Sequence, residues 1–173
     1  MNRIIICVEY DGTDYSGWQV QPDRSTVQGE LNKAVYKAFG NKWSVVGAGR
    51  TDTGVHSSGQ IAHFDYDEIN VPRHKVRLAI NHKLPRNIRV KRLWFATIPF
   101  HARFDANLRE YRYRFTRHPS IFNNRYIAFF PFQLDISLLK ASADVFIGEH
   151  SFYSFSKNHS SNGDYVCKID KCC

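Results

Sequence analysis

Apolar positions along the chain follow two periods, and the switches between them outline a fold. Residues 3–10, "RIIICVEY", are rich in β-branched residues and predict a strand. After a polar loop, Val27, Leu31, Ala34, Val35, Ala38 and Phe39 recur at helical spacing; Ser25 with Gln28 resembles a capping box, and Gly40 supplies the stop. "WSVV" at 43–46 and "QIAHFDY" at 60–66 predict two further strands. Pro72 suits the first turn of a second helix that places Val76, Ala79, Ile80 and Leu84 on one face, and "NIRVKRLWFAT" from Asn87 closes the series with a strand.

The order β-α-β-β-α-β predicts an α+β, ferredoxin-like (RRM-like) domain over residues 1–100, with an antiparallel sheet and helices on one face. From residue 101 the pattern restarts. "EYRYRFT" reads as a strand, a helix runs from an Asp135 cap through Leu138, Leu139, Val145 and Phe146 to Gly148, and a weak strand falls near 165–171. Residues 101–173 are therefore expected to be an incomplete second copy of the same topology. Its apolar faces would lack partners, so the chain is expected to be a piece of a longer protein.

Charge adds a partner class. Lys and Arg outnumber Asp and Glu by 24 to 16, which favours approach to a polyanion but equally fits a basic soluble protein. No run approaches the roughly 18 uncharged residues of a membrane span. The basic, apolar start "MNRIIICVEYDG" meets Glu9 and Asp11 at once and has no small-residue cleavage site, so a cytoplasmic protein is expected. Cys7, Cys167, Cys172 and Cys173 form neither a disulfide framework nor a zinc pattern, and Cys7 reads as a small core residue.

Candidate chemistry concentrates in "GAGRTDTGVH", Gly47 to His56. A dinucleotide fingerprint would put its third glycine at Asp52, and a phosphate-binding P-loop would need a lysine and a hydroxyl where Val55 and His56 stand; both readings fail. A plain glycine-rich hairpin with an Asx turn at Asp52 remains open. Against it, Arg50 precedes Asp52 by two residues, and in an extended segment both point to the same side. A guanidinium there would keep the carboxylate ionised, as a nucleophile or base requires. Metal ligation by Asp52 with His56 or His63 lacks a recognisable spacing.

A second constellation is "FHARFDANLREYRYRFTRH", Phe100 to His118. On a strand, Tyr111, Tyr113 and Phe115 would share one face and Arg112 and Arg114 the other. Rings that stack on bases beside guanidiniums that reach phosphates suit RNA, whereas an apolar face with solvated arginines would suit a core strand. The core reading is preferred for Phe115; for Tyr111 both stay open.

Three segments, "EYDGTDYSGWQVQPDRSTVQGEL", "GAGRTDTGVHSSGQIAHFD" and "FHARFDANLREYRYRF", closely resemble in order and spacing those of the TruA-type tRNA pseudouridine synthases, and "SFYSFSKNH" at 151–159 resembles a later segment of that family. The resemblance spans nearly the whole chain. It implies a pseudouridine synthase fold and the isomerisation of uridine to pseudouridine in the anticodon stem-loop of tRNA, without cofactor or metal, by a homodimer whose tRNA contacts both subunits. It further implies Asp52 as nucleophile, Arg50 as its ion-pair partner and Tyr111 as the ring that stacks on the target uracil. Gly49, Thr51, Gly54, His56, Arg103, Arg109 and Tyr113 are the expected substrate or RNA contacts, with Arg24, Arg86, Arg89 and Arg92 as further phosphate candidates. Whether the carboxylate attacks the ribose C1′ or the uracil ring stays open. Family members continue for about half a domain beyond this point; the alternative is a catalytically inactive RNA-binding fragment or module.

Overall fold

A computed structural model describes residues 2–156 and 165–173. The chain divides into two compact units, Met1–Tyr113 and Arg114–Cys173.

In the first unit Asn2–Tyr10 (β1), Val27–Phe39 (α1), Val46–Gly47 (β2), Ser57–Tyr66 (β3), Arg73–Asn81 (α2) and Ile88–Phe95 (β4) follow in that order. The sheet order is β2-β3-β1-β4, and every pairing is antiparallel. Strand alternation gives β1 two faces. Ile4, Ile6, Val8 and Tyr10 are buried with Leu31, Ala34 and Val35 of α1, Val76 and Ile80 of α2, and Ala62, Phe64 and Tyr66 of β3. Arg3, Ile5 and Cys7 lie on the other face, opposite Asp65, His63 and Ile61 respectively.

Two elements differ from their sequence expectation for reasons visible in the hydrogen bonds. The cap of α1 is Thr26, whose hydroxyl accepts from Gly29 N at 3.3 Å, instead of the expected Ser25–Gln28 box. The Ser25 carbonyl accepts from Ser16 N, and the Gln28 side chain is used elsewhere. It accepts from Val20 N (2.9 Å) and donates to the Val45 carbonyl (2.7 Å). With Val45 N donating to Asn32 Oδ1 (2.9 Å), side chains of α1 satisfy the backbone that a longer strand over 43–46 would have paired. Trp43 turns inward instead and stacks on Phe64.

At Gly40 the helix ends as expected: φ is +80°, and its N–H donates to the Tyr36 carbonyl. Cys7 is buried.

The second unit departs further from the pattern. Of "EYRYRFT" only Phe115–Thr116 (β5) is strand, paired in parallel with Ala128–Phe129 (β6); among the described residues the preceding stretch 106–114 has no ladder partner, and a strand is defined by its partner. Ile136–Asp144 (α3) is capped by Asp135, which accepts from Ser137 N and Leu138 N. It stops at Asp144 instead of reaching Gly148, because Phe146 N and Ile147 N turn to carbonyls three residues back. Gly148, at φ +109°, begins Gly148–Ser151 (β7), which pairs antiparallel with Val166–Ile169 (β8). The architecture of the described residues is thus mixed, with a four-stranded antiparallel sheet carrying the first unit. Of the "SFYSFSKNH" segment, residues 157–159 lie outside the described residues.

Candidate functional site

The segment from Ala48 to His56 links β2 to β3 and is fastened at its stem, middle and end. At the stem Ala48 N donates to the Ile61 carbonyl (2.8 Å), and Gln60 Nε2 donates to the Gly49 carbonyl (2.6 Å). Gly47 is required here by close approach, since a Cβ would stand 2.6 Å from the Trp18 ring. In the middle Thr51 faces inward: its hydroxyl lies 2.8 Å from the Tyr10 phenol, and its carbonyl accepts from Trp18 N at 3.0 Å. At the end Gly54 N donates to the Tyr15 carbonyl (3.3 Å) and Val55 N to the Asp52 carbonyl (3.2 Å). His56 Nδ1 lies 3.1 Å from Gly12 N and from Asp11 Oδ1, so the ring accepts from the first when neutral and donates to the second when protonated.

With Thr51 turned in, Arg50 and Asp52 on either side of it are both exposed. That is the i, i+2 relationship of extended backbone. Among the described residues no ion pair joins the two side chains. The loop therefore exposes both a carboxylate and a guanidinium without spending one on the other. Gly54, at φ +80°, gives the turn after Asp52 a conformation that L side chains rarely adopt.

Tyr111 is 76% exposed. Burial raises the Tyr10 pKa, the Thr51 hydrogen bond opposes this, and the nearby Tyr111 phenol raises it further. Tyr111 thus reaches the neighbourhood of the Tyr10–Thr51 pair that underlies Asp52. Tyr113 is 79% exposed, at the end of the first unit. Arg24, Arg86, Arg89 and Arg92 are exposed, the last with its guanidinium 5.4 Å from the Trp94 ring centroid. Arg109 is placed otherwise: its Nη2 donates to the Ala48 carbonyl (3.0 Å) and to the Arg103 carbonyl (3.2 Å).

Arg103 sits in a turn fixed to the outer sheet face. His101 N donates to Asp105 Oδ2 (2.6 Å), Asp105 N to the His101 carbonyl (2.9 Å), and Ala102 N to His63 Nδ1 (3.1 Å). Arg3 forks onto Asp65 (2.6 and 2.8 Å) and donates to the Phe100 carbonyl. Burial, then the charges of Arg3 and His101, lower the His63 pKa to about 4, so the ring is neutral and Nδ1 is free to accept.

Sequence reasoning passed over Tyr10, Trp18 and Gln60, and weighed His63 only as a metal ligand. For Tyr10 and Trp18 the one signal was the glycine pair in "YDGTDYSGW". A Cβ on Gly12 would meet the Val55 carbonyl oxygen at 1.9 Å, and one on Gly17 (φ +85°) the Thr51 oxygen at 2.6 Å, so both glycines mark where this loop packs on the first.

Among the described residues no group of three His, Cys, Asp or Glu could hold a metal ion, and no helix is long and apolar enough to cross a membrane. What the loop offers is an exposed carboxylate, adjacent cationic side chains and an aromatic ring, a set suited to covalent or proton-transfer chemistry on a base of a phosphate-bearing polymer.

Comparison with known proteins gives a concordant result. The sequence model of a family described as tRNA pseudouridine synthase matches residues 6–105. The chain is 42% identical over 172 residues to a tRNA pseudouridine synthase A of Fervidobacterium nodosum, covering 98% of this chain and 70% of that protein. It is 43% identical to one of Brevibacillus brevis (90% and 64%) and 40% identical to one of Caldicellulosiruptor saccharolyticus (99% and 71%). The chain thus spans between 64% and 71% of the length of these relatives.

Proposed function

We infer, given that the chain belongs to the tRNA pseudouridine synthase family, that it isomerises uridine to pseudouridine in tRNA, with Asp52 as the nucleophile. The observation that carries this reading is the anchoring of Thr51 on Tyr10 and Trp18, which leaves Asp52 and Arg50 exposed together on a held backbone.

The reaction breaks the N1–C1′ glycosidic bond, rotates the base and forms a C5–C1′ bond; C5 loses a proton and N1 gains one. Atoms and electrons balance with no co-reactant. The Asp52 carboxylate attacks either C1′ or the uracil ring and leaves again at the end of the cycle, so it is regenerated. Arg50, exposed two residues before the carboxylate, is available to the substrate's phosphate. Extruding a base costs a few kcal/mol, about 2–3, and a ring that stacks on it offsets that cost. Tyr111 supplies this ring, and Arg50 or Tyr111 assists loss of the C5 proton. Gly49 and Gly54 let RNA approach the backbone, and Arg103, Tyr113 and His56 line the approach, while Thr51 serves the site from within through its bond to Tyr10.

Within tRNA we place the target in the anticodon stem-loop, and the working unit as a cytoplasmic homodimer in which tRNA touches both copies. We likewise read residues 1–100 as a ferredoxin-like catalytic domain and 101–173 as the first part of a second domain. These finer points rest on the resemblance of the three sequence segments.

The test is release of tritium from tRNA carrying uridine labelled at C5. The protein is expected to release it and Asp52→Asn to abolish release. Undiminished release by the variant overturns the assignment of the nucleophile, and tRNA binding without release by the parent favours a binding module.

A further inference from the structure

We propose that Arg109 is a positioning residue: its guanidinium clamps the stem of the Asp52 loop to the turn at 101–105. It therefore acts through the loop backbone, not as a contact to RNA phosphate.

Three observations point the same way. One nitrogen, Nη2, donates to both the Ala48 and Arg103 carbonyls, and it carries two hydrogens, one for each. The side chain passes over Gly49, where an added Cβ would stand 3.7 Å from Arg109 Nε. The two carbonyls also belong to segments that are independently fixed. Ala48 N is held by Ile61 of β3, and the Gly49 carbonyl by Gln60. The Arg103 turn is closed by His101 and Asp105 and tied to the sheet through Ala102 N and His63.

The clamp joins residues 61 apart in sequence, where nothing local could set the spacing. It also gives Ala48 a partner on each side, the sheet through its N–H and Arg109 through its C=O. The stem that leads into Arg50, Thr51 and Asp52 then has little freedom to shift. A carboxylate nucleophile needs this, because displacement of about 1 Å costs on the order of a hundredfold in rate. The planar fork of arginine delivers two hydrogens from one nitrogen in fixed directions; a lysine at 109 would deliver a point charge with freer geometry.

Only the effect on turnover rests on the Asp52 reading; the clamp itself does not. Hydrogen exchange of the loop amides in the full chain tests the clamp directly. In Arg109→Met the amides of Ala48, Gly54 and Val55, which donate to the Ile61, Tyr15 and Asp52 carbonyls, should exchange roughly tenfold faster, while those of β1 and α1 keep the parent rate. Arg109→Lys should recover part of the protection. In the tritium-release assay Arg109→Met should lower kcat roughly tenfold with tRNA affinity changed less than about twofold.

Unchanged loop exchange, with weaker tRNA binding and a salt slope reduced by about one, would make Arg109 a phosphate contact and overturn the clamp. Equal loss of protection in loop, β1 and α1 would assign Arg109 to global stability and overturn it too. If Asp52→Asn retained turnover while Arg109→Met still loosened the loop, the clamp would stand and the nucleophile reading would fall.

Discussion

The Tyr10 phenol, on the buried face of β1, lies 2.8 Å from the hydroxyl of Thr51, the residue immediately before Asp52. The core therefore sets the position of the loop tip through one side-chain pair. Burial raises the Tyr10 pKa, so the phenol stays neutral and the bond persists through neutral and mildly alkaline pH. Tyr10→Phe keeps the ring and removes the bond, at a cost of about 1 kcal/mol. Turnover should fall more than stability suggests, by roughly tenfold, because Thr51 then loses its inward partner. Urea denaturation and tritium release on the same preparation check this, and full turnover would show that the pair does not set the tip.

Gly12 and Gly54 bracket the loop for different reasons, which gives a graded prediction. A Cβ at Gly12 would stand 1.9 Å from a backbone oxygen, Val55 O, and the backbone would have to move. Gly54 has φ +80° and open space around it, so Gly54→Ala carries only the left-handed penalty, about 1 kcal/mol. Gly12→Ala should cost about 3 kcal/mol or more and should also strip Gly12 N from His56. Denaturation midpoints for the two variants should fall in that order; the reverse order would mean that the loop contact is adjustable and the turn is not.

How far the sequence foretold this depends on the distance over which a contact acts. The α1 face of Val27, Leu31, Ala34 and Val35 was legible because helical spacing is local. Its cap was displaced by one residue because Ser25 and Thr26 are both hydroxyl residues, and only tertiary contacts choose between them. The strand expected at 43–46 shrank because Asn32 and Gln28 took the Val45 backbone groups, an exchange invisible to β propensity. Asp52 and Arg50 could be singled out from the glycine-rich segment itself. Their supports could not: Tyr10 reaches Thr51 across 41 residues and Arg109 reaches Ala48 across 61.

Gln28 is buried and joins two segments, accepting from Val20 N and donating to the Val45 carbonyl. Gln28→Leu fills much of the same volume and leaves one donor and one acceptor unpaired, which costs about 2–3 kcal/mol. Neither contact touches the Asp52 loop. Stability measured by urea should therefore drop while turnover per folded molecule stays near the parent value. A large loss of kcat without a loss of stability would show that the Val20–Val45 bridge reaches the loop after all.

His63 gives the molecule an acid-side weakness that can be placed in a pH window. Its folded pKa is lowered from 6.5 to about 4, first by burial, then by Arg3 and His101, with Asp65 opposing. Below its unfolded value the unfolded chain takes up a proton that the folded chain refuses. Stability is therefore full above about pH 6.5 and falls as pH drops toward 4, by at most about 3 kcal/mol. Arg3 lowers the Asp65 pKa below its ordinary 3.8, so loss of that pair lies at lower pH and does not overlap. His63→Asn offers Oδ1 near the place of Nδ1 and keeps an acceptor for Ala102 N while removing the titration. Urea midpoints measured between about pH 7 and 4.5 should slope downward for the parent and be flatter for the variant. Parallel slopes would take the pH dependence away from His63 and assign it to another group.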